Sequence, residues 1–242
     1  MSLKNLRDAY NIRNHIIKCL ELADVTNDYN LKKRLLSFVI IGGGFSGVET
    51  SGELKEMIDR LLMYYKNINI NEVKIHIVEL SNRLLPELDE SMGLYTEKVF
   101  KKLNINVHLN TKLKEVSSLK VYLSDNRSIE SNTVISSIGS SVSEIIKNTK
   151  LKLKKGKILT DEYLQVVNNI NVWALGDCAF IPSDSKDKTK SCPPTAQFAV
   201  RQAHTLSKNI LFKVRNKKLK PFNYVSKGAM ASLGSRIGIA RI

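Results

Sequence analysis

The feature that most constrains the fold of this chain is a glycine-rich turn between a β-branched run and a helix-forming segment. Residues 37–54 read SFVIIGGGFSGVETSGEL, which places Gly42, Gly44 and Gly47 directly after the run Phe38–Ile41. A GxGxxG pattern between a strand and a helix is typical of a dinucleotide-binding turn. The first glycine allows the bend, the second lets the backbone approach a pyrophosphate, and the third lets the helix pack on the strand. We predict that these three glycines bind a dinucleotide at the helix N-terminus, the alternative being a turn without a ligand.

The segments after the turn continue the pattern of a βαβ unit. Residues from Val48 to Leu62 are spaced as a helix, and Val73–Leu80, VKIHIVEL, alternates as a second strand. An acidic residue near the end of that strand binds the ribose hydroxyls in such units, and Glu79 stands there, further from Gly47 than the usual interval of about 20 residues. Because a carboxylate repels a 2′-phosphate, Glu79 favours NADH over NADPH.

The remaining elements are predicted from periodicity and from turn residues. Leu3–Leu36 is predicted as one helix, and Ser91–Leu103 as another with Ser91 as its N-cap. The other predictions are a strand at Ile105–Leu109, a hairpin turning at Asp125 and Asn126, a strand at Asn132–Gly139, a crossing between domains at KLKKGKI (152–158), a strand at Asn171–Asp177 and a helix beginning near Pro194.

Three further positions are candidates for a nucleotide site. Glu49 is placed to contact the nicotinamide side of a cofactor, although an acid in a first helical turn also suits the helix dipole. Gly139 ends a predicted strand and would let the backbone approach the same nucleotide, with a simple turn as the alternative. Asp177 follows Gly176 at the predicted carboxyl end of a strand, where ligands collect in α/β folds.

The charge balance favours anionic partners. Lys and Arg number 38 against 23 Asp and Glu, a net charge of +15, and nine basic but no acidic residues lie between Lys208 and Ile242. A basic face against an anionic membrane surface is one hypothesis, and a solvated lysine-rich surface is the other. Nucleic-acid binding is disfavoured, because the sequence shows neither a regular pattern of interleaved basic and aromatic residues nor a helix-turn-helix pattern. No signal peptide and no run of 18 apolar residues are present, so any membrane contact is expected to be peripheral.

The cysteines and histidines do not form a catalytic or metal-binding pattern. The three cysteines, Cys19, Cys178 and Cys192, show no CxxC spacing, which argues against a disulfide reductase and for a reducing compartment. The four histidines are scattered along the chain and are interpreted as structural. We therefore predict no metal site and no acid–base catalytic residues.

Seven stretches together carry a family resemblance. They are IIGGGFSGVETSGEL, IHIVE, RLLPELDE, DEYLQV, WALGDCAF, PPTAQFAVRQA and GAMASLGSRIGIA, in this order. The chain resembles, along nearly its whole length, the later part of type II NADH:quinone oxidoreductases, single-subunit flavoproteins of the membrane surface. Members of that family pass hydride from NADH to FAD, which then reduces quinone, so positioning and electrostatics are the protein's contribution.

The resemblance also implies roles for individual residues. Gly42, Gly44, Gly47 and Glu79 would bind NADH, and Gly176 and Asp177 would contact the ribityl chain of FAD. Ala196 and Gln197 would lie beside the isoalloxazine ring, with Gln197 and Arg201 on the quinone side. Arg201 stands where similar proteins often carry a neutral Gln, so a structural arginine that extends to solvent is the alternative reading of this position.

The resemblance implies a division of the chain and several partners. The fold class is α/β, with 1–36 as a helical segment of a flavin domain, 37–150 as a Rossmann-like NAD(H)-binding domain and 151–242 as the C-terminal part of an FAD-binding Rossmann-like domain. The family begins with its own FAD-binding glycine turn, and here this turn is expected on an N-terminal half that is either encoded separately or not included in this sequence. The family ends in helices that lie on the membrane, so 151–242 is expected to lead into such a membrane-anchor region. A peripheral location on the cytoplasmic face of a membrane is expected, with a homodimer left open. A non-catalytic NADH-binding module is the competing interpretation.

Overall fold

The computed structural model describes residues 1–138, 144–183 and 189–241, and these form two compact units. One unit comprises Met1–Gly139 with Gly228–Ile242, and the other comprises Ser140–Lys227. The elements in chain order are α1 (Leu6–Val25), α2 (Tyr29–Leu35), β1 (Ser37–Ile41), α3 (Phe45–Leu61), β2 (Lys74–Val78), α4 (Glu90–Lys102), β3 (Ile105–His108), β4 (Leu113–Val116), β5 (Lys120–Leu123), β6 (Ser128–Glu130), β7 (Thr133–Ser136), α5 (Glu144–Lys147), β8 (Leu153–Lys154), β9 (Lys157–Leu159), β10 (Ala179–Phe180), α6 (Ala196–Val214), β11 (Ala229–Ser232) and β12 (Gly238–Arg241).

A parallel sheet in the order β3-β2-β1-β7 forms the centre of the first unit. All five residues of β1 are buried, as expected for a central strand of a parallel sheet that is covered on both faces. Alternate residues of β1 therefore enter different clusters. Phe38 and Ile40 pack with the helices, whereas Val39 and Ile41 pack with Val121 and other residues of the antiparallel sheet β4-β5-β6. The predicted α/β fold class is confirmed.

The N-terminal helical segment packs in the same core as the sheet. Ile12, Ile16 and Leu20 of α1 are buried in one cluster with Phe38 and Ile40 of β1. The prediction of a single helix over Leu3–Leu36 was wrong, because α1 ends at Val25 and a second helix, α2, begins at Tyr29. The Asp28 carboxylate accepts hydrogen bonds from the backbone N–H groups of Asn30 and Leu31, which makes a new helix start favourable at that point.

The hairpin β11–β12 also belongs to the first unit, although it lies near the C-terminus. Leu233 and Ile239 are buried in the cluster that contains α3 and β1. The contact is close, because a Cβ on Gly52 of α3 would lie 2.5 Å from the backbone nitrogen of Gly234. The boundaries predicted at 36 and 150 therefore differ from those of the compact units. Both 1–36 and 228–241 pack with the parallel sheet.

The second unit is built around α6 and the small sheet β10-β9-β8. Its core contains Ile158, Leu164, Ala179 and Phe198. The predicted crossing at 152–158 is instead the hairpin β8–β9, in which Lys155 and Gly156 both have positive φ, as a two-residue type I′ turn requires. That this unit belongs to a second, FAD-binding Rossmann-like domain stays a prediction.

Two other local predictions are corrected, and one is confirmed. The residues Asn171–Asp177 do not form a regular strand: Trp173 makes only an isolated bridge with Gln165, and Gly176–Cys178 forms a 3₁₀ turn. Ser91 is not an N-cap, since α4 already begins at Glu90, after Asp89. The hairpin at Asp125 and Asn126 is confirmed, and Asn126 has the positive φ of 65° that such a turn favours.

Two histidines on adjacent strands of the parallel sheet contact each other. His76 Nδ1 lies 3.1 Å from His108 Nε2, and the rings stack with centroids 5.3 Å apart. Burial, with the neighbouring charges of His108 and Lys74, lowers the pKa of His76 to about 4. Burial also lowers the pKa of His108. The structural role predicted for these histidines is consistent with a pair that is neutral at pH 7.

We expect this pair to make the first unit sensitive to mild acid. Because the folded pKa of His76 lies below its ordinary value of 6.5, its contribution to stability is complete above pH 6.5 and decreases as pH falls toward 4. In the wild type, the free energy of unfolding should fall by up to about 3 kcal/mol between pH 6.5 and pH 4 because of His76. The substitution His76→Gln should abolish this part of the pH dependence, as measured by urea unfolding at pH 7, 6, 5 and 4. The exposed His204→Gln is the matched control. Equal pH dependence in all three proteins would contradict this interpretation.

Candidate functional site

The glycine turn between β1 and α3 has a geometry that only glycine satisfies at two positions. Gly42 has a φ of +108°, in the left-handed region, and a Cβ there would lie 2.7 Å from Ser137 Oγ. A Cβ on Gly47 would lie 1.8 Å from the carbonyl oxygen of Gly42. The first turn of α3 therefore touches the end of β1 backbone to backbone, as the sequence predicted from the glycine spacing.

Gly44 differs from its neighbours because the space beside it is open. Its φ is −74°, which any residue adopts, and it is the N-cap of α3 without a side-chain hydrogen bond to the helix. The nearest atom to a Cβ on Gly44 would be Oε1 of the exposed Glu87, at 3.5 Å. No packing contact thus explains a glycine at this position. The turn fits an approaching pyrophosphate, provided that the mobile end of the Glu87 side chain makes room for the anion.

Glu79 follows β2 and is only 9% exposed. Its Oε2 accepts a hydrogen bond from the backbone N–H of Gly43, and its Oε1 accepts one from the backbone N–H of Ser81 at 2.7 Å. A Cβ on Gly43 would lie 2.8 Å from the Cβ of Glu79, so the turn and the carboxylate are in close contact. The carboxylate therefore fixes the glycine turn itself, a role that the sequence analysis missed.

The Glu79 carboxyl remains charged in spite of its burial. Burial alone raises its pKa, but hydrogen bonds from Ser81 and from the backbone of Gly43 and Leu80 together outweigh that effect, so the pKa lies below its usual value. A negative charge is thus held at the carboxyl end of the parallel sheet, next to the turn. Such a charge can accept hydrogen bonds from hydroxyl groups and disfavours a neighbouring phosphate.

The other two candidates near this turn are Glu49 and Gly139. The Glu49 carboxylate on α3 accepts a hydrogen bond of 3.3 Å from the backbone N–H of Ser232, which ties α3 to the hairpin β11–β12. Gly139 lies outside the described residues. Just before it, the Ser137 hydroxyl donates to the carbonyl oxygen of Ile41 at 2.8 Å and so joins the ends of β7 and β1.

In the second unit, the Gly176–Asp177 turn is held by a buried side chain. Gly176 has a φ of +71°, and its backbone N–H donates to Gln202 Oε1 at 2.8 Å. Gln202 is 2% exposed and lies on α6. Asp177, the next residue, is exposed. Gln202 lies within PPTAQFAVRQA but was not predicted as a site residue, because nothing in that stretch shows which polar side chain faces inward.

The start of α6 carries the remaining candidates. Ala196 and Gln197 form its first turn after the N-cap Thr195. Gln197 Oε1 accepts hydrogen bonds from the Tyr224 hydroxyl and the Lys227 backbone N–H, each at 2.9 Å. The Arg201 guanidinium lies 5.6 Å from the centre of the Tyr224 ring. The structure thus brings Gln197 and Arg201 together on Tyr224, a residue that no sequence pattern marked.

The described residues hold neither a metal-binding cluster nor a helix that could span a membrane. Within residues 1–138, 144–183 and 189–241, no group of three or more His, Cys, Asp or Glu residues is arranged to hold a metal ion. None of the helices in these ranges is both long enough and apolar enough to cross a membrane.

The family is established by a match that spans most of the chain. Residues 6–203 match the family model of pyridine nucleotide-disulphide oxidoreductases. The chain belongs to the pyridine nucleotide-disulphide oxidoreductase family.

Individual relatives show which members of that family the chain resembles. A protein of Dictyostelium discoideum named as a probable NADH dehydrogenase is 34% identical over 98% of this chain and 52% of the relative. The type II NADH:quinone oxidoreductase NdhA of Mycobacterium tuberculosis is 25% identical over 99% of this chain and 53% of the relative. The resemblance to type II NADH:quinone oxidoreductases is therefore confirmed, and the chain spans about half the length of the curated relatives it matches.

The fold of this chain is also similar to that of a solved NDH2 structure. The structure of NDH2 from Plasmodium falciparum in complex with NADH superimposes with a TM-score of 0.87, at 24% identity, over 99% of this chain and 64% of that one. The arrangement of elements is thus shared with a known NDH2 along nearly the whole of this chain.

We expect Glu79 to stabilise the first unit. The substitution Glu79→Ala would leave the buried N–H of Gly43 and the half-buried N–H of Ser81 without their acceptor, at a cost of about 1 to 3 kcal/mol. Urea unfolding at pH 7 measures this loss. The matched control is Glu87→Ala, an exposed carboxylate near the same turn, for which we expect no measurable change.

The pH dependence of this effect provides a second check. The pKa of Glu79 is lower in the folded protein than its ordinary value of 4.5. The charged carboxylate therefore contributes fully to stability above pH 4.5, and this contribution is lost as the pH falls through the pKa of the folded state. The difference in unfolding free energy between the wild type and Glu79→Ala should therefore shrink in acid. A difference that stays constant from pH 7 to pH 3 would show that packing, not the charged carboxylate, is responsible.

Proposed function

We propose that this chain acts in the oxidation of NADH, with hydride passing to FAD and electrons passing on to a membrane quinone. One observation supports this most directly: an open glycine at the start of α3 stands beside a buried, charged carboxylate at the carboxyl end of a parallel sheet. In α/β folds this is where nucleotides bind. The names of the relatives, NADH dehydrogenase and type II NADH:quinone oxidoreductase, support the choice of nucleotide and acceptor.

In this proposal the first unit binds and orients NADH. The N–H groups at the start of α3 bind the pyrophosphate, and Gly44 allows the backbone to come close to it. Glu79 accepts hydrogen bonds from the ribose hydroxyls while it holds the turn, and its charge disfavours the 2′-phosphate of NADPH. Glu49 lies one helical turn further along, and its contact with Ser232 fixes the hairpin beside it.

The second unit would bind the flavin and face the quinone. The chemistry that FAD would supply when bound is the acceptance of hydride from NADH and the transfer of electrons to the quinone, and the chain would contribute position and electrostatics. Gly176 and Asp177 would contact the ribityl chain, and the buried Gln202 holds Gly176 for that purpose. Ala196 and Gln197 would lie beside the ring system, with Gln197 and Arg201 toward the quinone.

The basic surface of the second unit supports a peripheral membrane contact as part of this proposal. The end of α6 exposes Leu211 and Val214, and Lys213, Arg215 and Lys217 accompany them. Apolar side chains with basic neighbours favour the surface of an anionic bilayer.

A second candidate is an NADH-binding module that holds no flavin. The observation in its favour is that the glycine turn, Glu79 and the hairpin β11–β12 all lie within one compact unit. Nucleotide binding by that unit would not require FAD.

The visible spectrum of the purified chain separates these two candidates. We expect protein prepared with excess FAD to retain the absorbance of oxidised flavin after gel filtration, and NADH to bleach it. NADH binding by calorimetry without retained flavin would instead support the binding module. Absence of both flavin and NADH binding would contradict both functions.

A second experiment tests the glycine turn as a ligand site. The substitution Gly44→Ala adds one methyl group where no protein atom is closer than 3.5 Å, so stability should change by less than about 1 kcal/mol. Affinity for NADH, measured by calorimetry, should fall at least about tenfold because the methyl group blocks the pyrophosphate. The control is Ser46→Ala, on the neighbouring exposed position of α3. Equal affinity in all three proteins would mean that the turn has only a structural role.

A further inference from the structure

The parallel sheet of the first unit ends in an open edge at β3. In the described part of the chain β3 pairs with β2 alone, and the order β3-β2-β1-β7 places it at the margin of the sheet. The carbonyl oxygen of His108 accepts a hydrogen bond of 2.9 Å from the backbone N–H of Glu79, the residue after β2. Backbone groups alternate in direction along a strand, so those of Ile105 and Val107 point away from β2, toward the open side.

The strand β3 lacks most of the features that prevent an edge strand from pairing with another chain. Natural edge strands are protected by charged side chains, by proline, by a bulge or by short length. The four residues of β3 read INVH, with no proline and no Lys, Arg, Asp or Glu. Its register with β2 is continuous from Ile105 to His108. Short length is therefore its one protection, and the edge can still accept a short added strand.

A groove of about 730 Å³ lies along this edge, a volume similar to that of pockets that hold small ligands. Apolar residues of the first unit contribute to its lining, among them Val73, Leu94, Ile105 and Val107. Both of the β3 residues whose backbone points to the open side are in this set. A chain segment in the groove could thus reach the unpaired backbone groups of β3.

The charged residues of the groove are mostly basic. Lys74, Lys98 and Lys101 line it and are exposed. The one acidic residue among the described lining residues is Glu97. Throughout the part of the chain that the structure describes, none of the three lysine ammonium groups forms an ion pair or a hydrogen bond. Lysines that surround a groove without a counter-charge favour an anionic ligand.

Charge and lining together favour one kind of occupant. A second copy of this chain is disfavoured, because pairing two β3 edges would bring the lysines of both copies together. A nucleic acid is disfavoured, because the described lining residues include no aromatic ring on which a base could stack. An extended peptide with acidic side chains meets both requirements, since its backbone can pair with the edge and its carboxylates can approach the lysines.

We propose that the groove along β3 binds an acidic, extended segment of a partner protein, which adds to the parallel sheet as a further strand. At about 3.3 Å per residue, the four residues of β3 offer about 13 Å of edge, enough for a segment of about four to six residues. The backbone groups of Ile105 and Val107 would pair with this segment. The inference is independent of the proposed function, because it requires neither NADH nor FAD.

A synthetic peptide tests this surface. The probe is a fluorescein-labelled octapeptide in which glutamate alternates with valine and threonine, and its affinity for the purified chain is measured by fluorescence anisotropy. A control peptide carries lysine in place of each glutamate and should bind at least about tenfold more weakly, because its charges repel the lysines of the groove. Equal binding of the two peptides, or binding of neither, overturns the proposal.

The substitution Val107→Pro tests the backbone of the edge. Proline removes an N–H that points away from β2, so the pairing of β2 with β3 should persist. Affinity for the glutamate peptide should fall about three- to tenfold, the effect of one lost hydrogen bond. The matched control is Val107→Ala, which loses the same side chain but keeps the N–H. Equal affinities of these two variants would overturn pairing with the edge.

The lysines are tested by a pair of substitutions, which also serves if Val107→Pro does not fold. Lys98→Gln combined with Lys101→Gln should weaken binding of the glutamate peptide about three- to tenfold, with a smaller effect at high salt. The matched control combines Lys112→Gln with Lys114→Gln, which removes two exposed lysines of the same unit outside the groove. Equal weakening in both double variants would show an effect of net charge alone and would overturn the proposal.

Hydrogen exchange locates the bound peptide and separates the other occupants. We expect the glutamate peptide to slow amide exchange in residues 104–109, and protection elsewhere alone would overturn the proposal. Stronger protection of 104–109 by a single-stranded oligonucleotide than by the peptide would assign the groove to nucleic acid instead. Protection of 104–109 that rises with protein concentration, without peptide, would assign it to a second copy. Failure of the chain to bind NADH would contradict the proposed function and leave these results unaffected.

Discussion

The close contact between the end of β1 and the start of α3 is the constraint on which the first unit depends. No side-chain atom fits between Gly47 and the carbonyl oxygen of Gly42, so any other residue at position 47 would push the start of α3 away from the end of β1. The buried, charged carboxylate of Glu79, which follows β2, accepts a hydrogen bond from the Gly43 backbone N–H and so holds the turn in place. A single carboxylate thus stabilises the turn next to which the nucleotide is proposed to bind. This arrangement explains how a charge that is costly to bury is retained, because backbone donors satisfy it.

The second unit relies on polar side chains of α6 rather than on glycine contacts. Gln202 accepts a hydrogen bond from the Gly176 backbone N–H, and Asn209 and Gln197 bind backbone groups at Lys220 and Lys227, the two ends of the segment that follows α6. The helix therefore orders the Gly176 turn and both ends of that segment. Amide side chains suit this task because each carries both a donor and an acceptor, and burial makes an unpaired amide unfavourable.

Much of the fold could be predicted from local patterns. The strand–turn–helix around Gly42, the strand that precedes Glu79 and the hairpin at Asn126 all depend on residues close in sequence, and they were predicted correctly. The errors arise where local signals compete. The helix expected over Leu3–Leu36 is divided because Asp28 caps a second helix. ALGD is not in a regular strand, because the preceding Trp173 makes only an isolated bridge and Gly176–Cys178 forms a 3₁₀ turn. The packing of β11–β12 against Gly52 joins residues that are distant in the chain, so periodicity could not reveal it.

The sequence by itself determined the α/β class, the glycine turn and the acid that follows β2, because each is specified by residue type at short spacing. Family membership also followed from the order of the motifs. Only the tertiary structure decided that Glu79 holds Gly43, that Gln202 holds Gly176 and that Tyr224 holds Gln197. The physical reason is that these hydrogen bonds join polar groups whose partners are backbone atoms or distant side chains. A backbone N–H is the same in every residue except proline, so no sequence pattern marks which one a buried amide or carboxylate will bind.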